Sequence, residues 1–249
     1  MRMKSAILLA VYGSMTFAAQ NSEPAAQHSM PGTSDSTMSS MDSLTFRESL
    51  HMKMTTPRNI QPGDAARARR IVETARSSLS QYVDYRRAER DGYRMVVTPV
   101  SRTIYHFTNF RNWQDAEKSG APFDPERPTS LIYAKRGNGY ILIGAMYSAP
   151  AAESEHELDK RIPLSFARWH AHINVCLPRT SEMRKIWEPH PRFGEIGTIA
   201  TPQACAQAGG AFLPQIYGWM VHMYLFEEQD KDIWSVSRVA DEEKDTGTP

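Results

Sequence analysis

The sequence predicts an α+β fold: a long N-terminal helix, then a mainly antiparallel β-sheet with a β-hairpin and a short disulfide-linked helix. Three observations predict it. From residue 64 to about residue 90, Ala68, Ile71 or Val72, Ala75, Leu79 and Tyr82 or Val83 recur at three-to-four spacing, the period of a helix with one apolar face. Residues 129–136 and 140–148 are apolar runs on either side of Gly137-Asn138-Gly139, and Asn and Gly tolerate the positive φ that a tight hairpin turn needs. Residues 167–176 alternate, with Trp169, Ala171, Ile173 and Val175 on one side and His170, His172, Asn174 and Cys176 on the other, as a half-buried strand requires.

Taken in order, the chain starts with the pattern of an export signal over residues 1–19. Arg2 and Lys4 precede a short apolar run over residues 6–17, and Ala18 and Ala19 supply small residues for cleavage. That run is too short to anchor a membrane, and no later segment is long enough to span one. The expected location is the periplasm or the cell exterior. Residues 20–60 are rich in Ser, Pro, Gln and Met and predict a disordered linker. Met30, Met38 and Met41 lie near His28 there, and His51-Met52-Lys53-Met54 follows.

A single domain is expected over residues 61–230. Pro62-Gly63-Asp64 opens the long helix with Asp64 as its cap, and Gly92 ends it. Arg67, Arg70, Glu73, Arg76 and Arg87 make its solvated face. Residues 93–100 and 103–108 predict strands, interrupted at Pro99. The hairpin follows and ends at Pro150, and the acidic stretch 154–159 predicts a short helix. The alternating strand stops at Pro178, and residues 180–198 read as a long loop. Thr201-Pro202 begins a short helix that carries Cys205 and closes at Gly209. Residues 216–226 form the last strand, and residues 231–249 a polar tail.

The 249 residues carry a formal net charge of +1 with no dense Lys/Arg stripe, so there is no electrostatic case for nucleic acid as a partner. The two cysteines, Cys176 and Cys205, are an even pair in an exported chain and predict a disulfide. The competing assignment makes Cys176 a metal ligand.

The chemistry concentrates on imidazoles. Side chains at i and i+2 of a strand share a face about 6.5–7 Å apart. His170 and His172 can therefore converge on one ion, of a kind imidazole suits: Zn, Cu, Fe or Ni. Further ligands are available in His106, within Ile104-Tyr105-His106-Phe107-Thr108, and His222, within Trp219-Met220-Val221-His222-Met223-Tyr224. By strand parity His222 shares its face with Met220 and Tyr224, and His106 with Ile104 and Thr108. Thirteen methionines in the chain is a high count, and several sit in polar sequence where thioethers act as soft ligands. The expected partner is thus a divalent or monovalent transition metal, copper ahead of zinc. His106, His170, His172 and His222 would hold it, with His51, Met52 and Met54 as an auxiliary capture arm.

Two alternatives stay open: a metal-dependent hydrolase or oxidase using the same site, and a module binding a non-metal ligand or partner in an aromatic groove. No catalytic residue is assigned, because Asp124, Glu227 and Glu228 are placed by no motif. The nucleophile elbow, P-loop, His-Glu-x-x-His, Cys-x-x-Cys and dinucleotide glycine patterns are all absent.

The segments Tyr105-His106-Phe107-Thr108-Asn109, Arg168-Trp169-His170-Ala171-His172-Ile173-Asn174-Val175-Cys176 and Gly218-Trp219-Met220-Val221-His222 resemble those of an uncharacterised family of exported bacterial proteins. The resemblance implies export and brings no activity with it.

Overall fold

The structure, a computed structural model, describes residues 50–96, 102–226 and 233–234. The expected signal peptide, the linker up to residue 49 and all of the tail except residues 233–234 lie outside the described residues.

The α+β fold led by a long helix is not what the chain adopts. The described residues form mainly an antiparallel sheet of eight strands, with short helices. The strands are β1 (Met52–Met54), β2 (Arg94–Met95), β3 (Ile104–Thr108), β4 (Ser130–Arg136), β5 (Gly139–Ala149), β6 (His170–Leu177), β7 (Ala211–Gln215) and β8 (Trp219–Met223). Their order across the sheet is β1-β6-β8-β5-β4-β3-β2, and β7 pairs with β6 beyond the reach of β8.

The long helix fails near its middle. Helix α1 (Asp64–Leu79) is sixteen residues and continues as a four-residue 3-10 segment, Ser80–Val83. The Ser78 and Ser80 hydroxyls donate back to the Ala75 and Ser77 carbonyls at 3.2 and 2.7 Å. Asp84 then leaves helical backbone, and its carboxylate accepts from the Arg86 amide to cap α2 (Tyr85–Arg90). Ser and Asp offer the backbone these local alternatives, which apolar periodicity alone does not reveal. The cap of α1 is also displaced by one residue. Gly63, with φ 91°, holds that position, and Asp64 lies inside the helix. The Asp64 carboxylate instead accepts from Arg58, Gln61 and Ser165, and the hydrogen bonds from Arg58 hold it well below the usual carboxylate range. Arg58 also donates to Asp159 at 2.7 and 2.9 Å. This fastens the segment after β1 to α1 and to α4 (Glu155–Arg161).

Two strands have no sequence signal. β1 lies within the stretch expected to be linker, and three residues are too few to display a period. β7 contains Pro214, which confines a strand to an edge, and pairs only with β6. Other expectations match the structure. The hairpin turns at Gly137 between β4 and β5. Thr201 caps α5 (Pro202–Gln207), as its sequence predicts; two further caps are findings of the structure, Asn109 on α3 (Phe110–Ala116) and a Ser154–Glu157 capping box on α4. The loop after Pro178 opens with a 3-10 segment, Thr180–Trp187.

Helices α1, α2 and α4 pack on one face of the sheet. Ile71, Val72, Ala75 and Leu79 of α1, with Tyr82, Ala88, Leu158 and Ile162, bury against Phe107, Leu131, Tyr133, Ala145, Tyr147, Trp169, Ala171 and Val221. The strand at 170–177 is therefore not half-buried. Trp169 and Ala171 sit in this core, and His170 and His172 on the other side are only 2% and 7% exposed.

Candidate metal centre

The second face of the sheet is set by register. Residues directly opposite in an antiparallel pair project to the same side. His170 faces Met220 across the β6–β8 pair, His222 faces Met146 across β8–β5, and His106 faces Ile132 across β3–β4. All four predicted histidines thus lie on one face, opposite α1, α2 and α4.

That face is strongly curved. β8 and β3 are separated by β5 and β4, which in a flat sheet would hold their side chains about 14 Å apart. Yet the His106 and His222 ring centroids are 5.2 Å apart. The sheet therefore curls toward this side, and a break in register between β4 and β5 at Ile132/Tyr133 supplies one bend. The concave surface is floored by Ile132, Ala134, Ile143, Met146, Met220 and Tyr224.

The imidazoles form a continuous row. From His106 it passes to His222, then to His170 at 5.3 Å and to His172 at 5.6 Å, each ring edge-on to the next. Tyr224 and Glu195 flank the row. The Tyr224 hydroxyl is 3.4 Å from His222 Nδ1, and a Glu195 carboxylate oxygen is 3.7 Å from His172 Nδ1. Glu195 arrives on the loop after β6, where Gly194 bridges Cys176, and nothing in its sequence signals that role. His106 is partly exposed and Glu195 is 35% exposed in its side chain, so both ends of the row reach the surface.

Burial pushes the His170 and His222 imidazoles well below the ordinary histidine value, and the neighbouring imidazoles push in the same direction. Both are neutral at pH 7, the form that binds metal. The unfolded imidazole titrates near 6.5, so below about that pH the unfolded chain binds more protons than the folded one. With a chelator present, stability against urea should hold above about pH 6.5 and fall as the pH drops further. His170→Asn should flatten that slope, and equal slopes in variant and wild type would contradict the account.

The expected capture arm is divided. Met52 and Met54 are 1% and 4% exposed in β1, opposite His172 and His170. They belong to the histidine face, not to an arm. His51 is buried and donates from Nε2 to the Gly197 carbonyl at 2.7 Å. Cys176 and Cys205 form the disulfide, with Cα atoms 5.6 Å apart, so Cys176 is not a metal ligand. Asp124 lines a separate cavity of about 110 Å³ with Asn112, Phe123, Arg127 and Tyr147 and no histidine. Glu227 and Glu228 lie outside the described residues. As the side chains stand, no three His, Cys, Asp or Glu among the described residues are grouped to hold a metal ion. Among those residues no helix is long and apolar enough to cross a membrane.

Comparison with protein-family models, with curated proteins and with solved structures finds nothing that matches this chain.

Proposed function

We propose that this is an exported protein that binds a transition metal, copper ahead of zinc, through His106, His170, His172 and His222. The observation that carries this is the row of four imidazoles at 5.2–5.6 Å between centroids on one sheet face. Two imidazoles sharing an ion at about 2.0–2.1 Å per nitrogen, near the tetrahedral angle, have centroids about 5–5.5 Å apart. The spacing suits coordination, and rotation about χ2, a soft torsion in histidine, is the adjustment an ion asks for. Copper ranks ahead of zinc because buried methionine thioethers, soft donors, lie on the same sheet face as the imidazoles. The disulfide fits the oxidising compartment that export would supply.

The test is metal content and affinity of purified protein for Cu(II) and Zn(II), with His170→Ala and His222→Ala beside wild type. Wild type should retain about one equivalent after dialysis, and each variant should lose roughly ten- to a hundredfold in affinity. Negligible metal in all three would sink the proposal.

A further inference from the structure

Each of the three most buried histidines in the row has a methionine as its cross-strand partner. Met52 is opposite His172, Met54 is opposite His170 on one side and Met220 on the other, and Met146 is opposite His222. Directly opposed Cα atoms lie about 4.5–5.5 Å apart with side chains on one face, so each thioether is a neighbour of its imidazole. The four methionines are all less than 9% exposed. Met146 and Met220 belong to the apolar floor of the concave face. Met52 and Met54 do not: they join none of the apolar clusters of the described residues, although they are the more deeply buried pair.

We infer that the site takes a monovalent soft cation, Cu(I), in a mixed imidazole–thioether set in which Met52 and Met54 of β1 are ligands beside His170 and His172. This rests on the metal-binding function proposed above and names the ion for it. Thioether sulfur is a soft, neutral donor that selects Cu(I) and adds little for Zn²⁺. A neutral pocket further suits a monovalent over a divalent ion, since burying the smaller charge carries the smaller desolvation penalty. Because β1 is a three-residue strand, binding would couple an otherwise weakly held edge to the metal.

The experiment measures Cu(I) affinity without oxygen, by competition with a chromophoric Cu(I) chelator, and Zn(II) affinity by competition with a zinc indicator. Wild type is compared with the near-isosteric double variant Met52→Leu/Met54→Leu and with His170→Ala. The methionine variant should lose roughly tenfold or more for Cu(I) with Zn(II) binding nearly unchanged, while His170→Ala should weaken both. Wild-type protein labelled with ¹³C at methionine methyls gives a readout that needs no variant to fold. Ag(I), a redox-inert stand-in for Cu(I), should shift the Met52 and Met54 signals, and Zn(II) should not. Cu(I) and Ag(I) binding that leaves those signals and the double variant's affinity unchanged would overturn the thioether assignment alone. Zn(II) binding without Cu(I) or Ag(I) binding would overturn the Cu(I) assignment alone, and binding of none of the three to wild type would overturn the metal-binding function with it.

Discussion

Gly144→Ala should be among the most destabilising single-atom additions to this protein. A Cβ on Gly144 would be driven into the Met223 carbonyl oxygen, with the Met223 carbonyl carbon and Tyr224 Cα each at 3.1 Å. These are backbone atoms of β8 and its continuation, paired to β5 over Ala145–Ala149, so no flexible side chain can yield. Relief requires β5 and β8 to separate. The expected loss is about 3 kcal/mol, the upper range for overpacking, or a fall in melting temperature of roughly 10 °C for a domain of this size. The same strand movement would displace His222 from His106 and His170, so if the proposed metal site is formed its affinity should fall together with stability. Gly137→Asn is the control. Its position has φ 55° in the hairpin turn and nothing within 4 Å, and Asn tolerates that conformation. Thermal unfolding of both variants checks this, and a Gly144→Ala protein melting with wild type would refute the close packing of β5 on β8.

Reducing the disulfide should have a comparable effect by a different route. Cys176 ends β6 and Cys205 sits in α5, 29 residues away, and with Phe193 and Ile199 they make a small apolar cluster of their own. Closing a loop of that length removes conformational freedom from the unfolded chain, worth roughly 3–4 kcal/mol on the chain-entropy model. Cys176→Ser/Cys205→Ser, or wild type in reductant with two thiols titrating, should melt roughly 10 °C lower. The loop that brings Glu195 to His172 is tied to β6 at Gly194↔Cys176, so this end of the row should loosen first. Amide exchange in residues 192–199 would show it as faster exchange on reduction. Unchanged melting with both thiols exposed would mean that packing of the cluster alone holds this end.

Much of the candidate site was legible in the chain because a strand imposes a strict period of two. Alternation over residues 167–176 put His170 and His172 on one side before any tertiary contact was known, and the same parity grouped His222 with Met220 and Tyr224. The hairpin and the Thr201 cap of α5 belong to the same class, each set by a few adjacent residues. The helix break near Leu79 was masked because serines and Asp84 sit within a periodic apolar pattern that still points toward the core.

What the sequence determined by itself is therefore local: the helix start near Asp64, the Gly137 turn, the disulfide partners and the parity of each histidine within its own strand. Which strands are neighbours, and how far the sheet curls, only the tertiary structure decided. His106 and His222 are more than a hundred residues apart and three strands apart in the sheet, yet 5.2 Å apart in space. No local pattern encodes that distance, because it depends on the accumulated twist, the register break in the β4–β5 pair and the close approach at Gly144. The same holds for β1. Its three residues carry no readable period, and only pairing with β6 brings Met52 and Met54 beside His172 and His170.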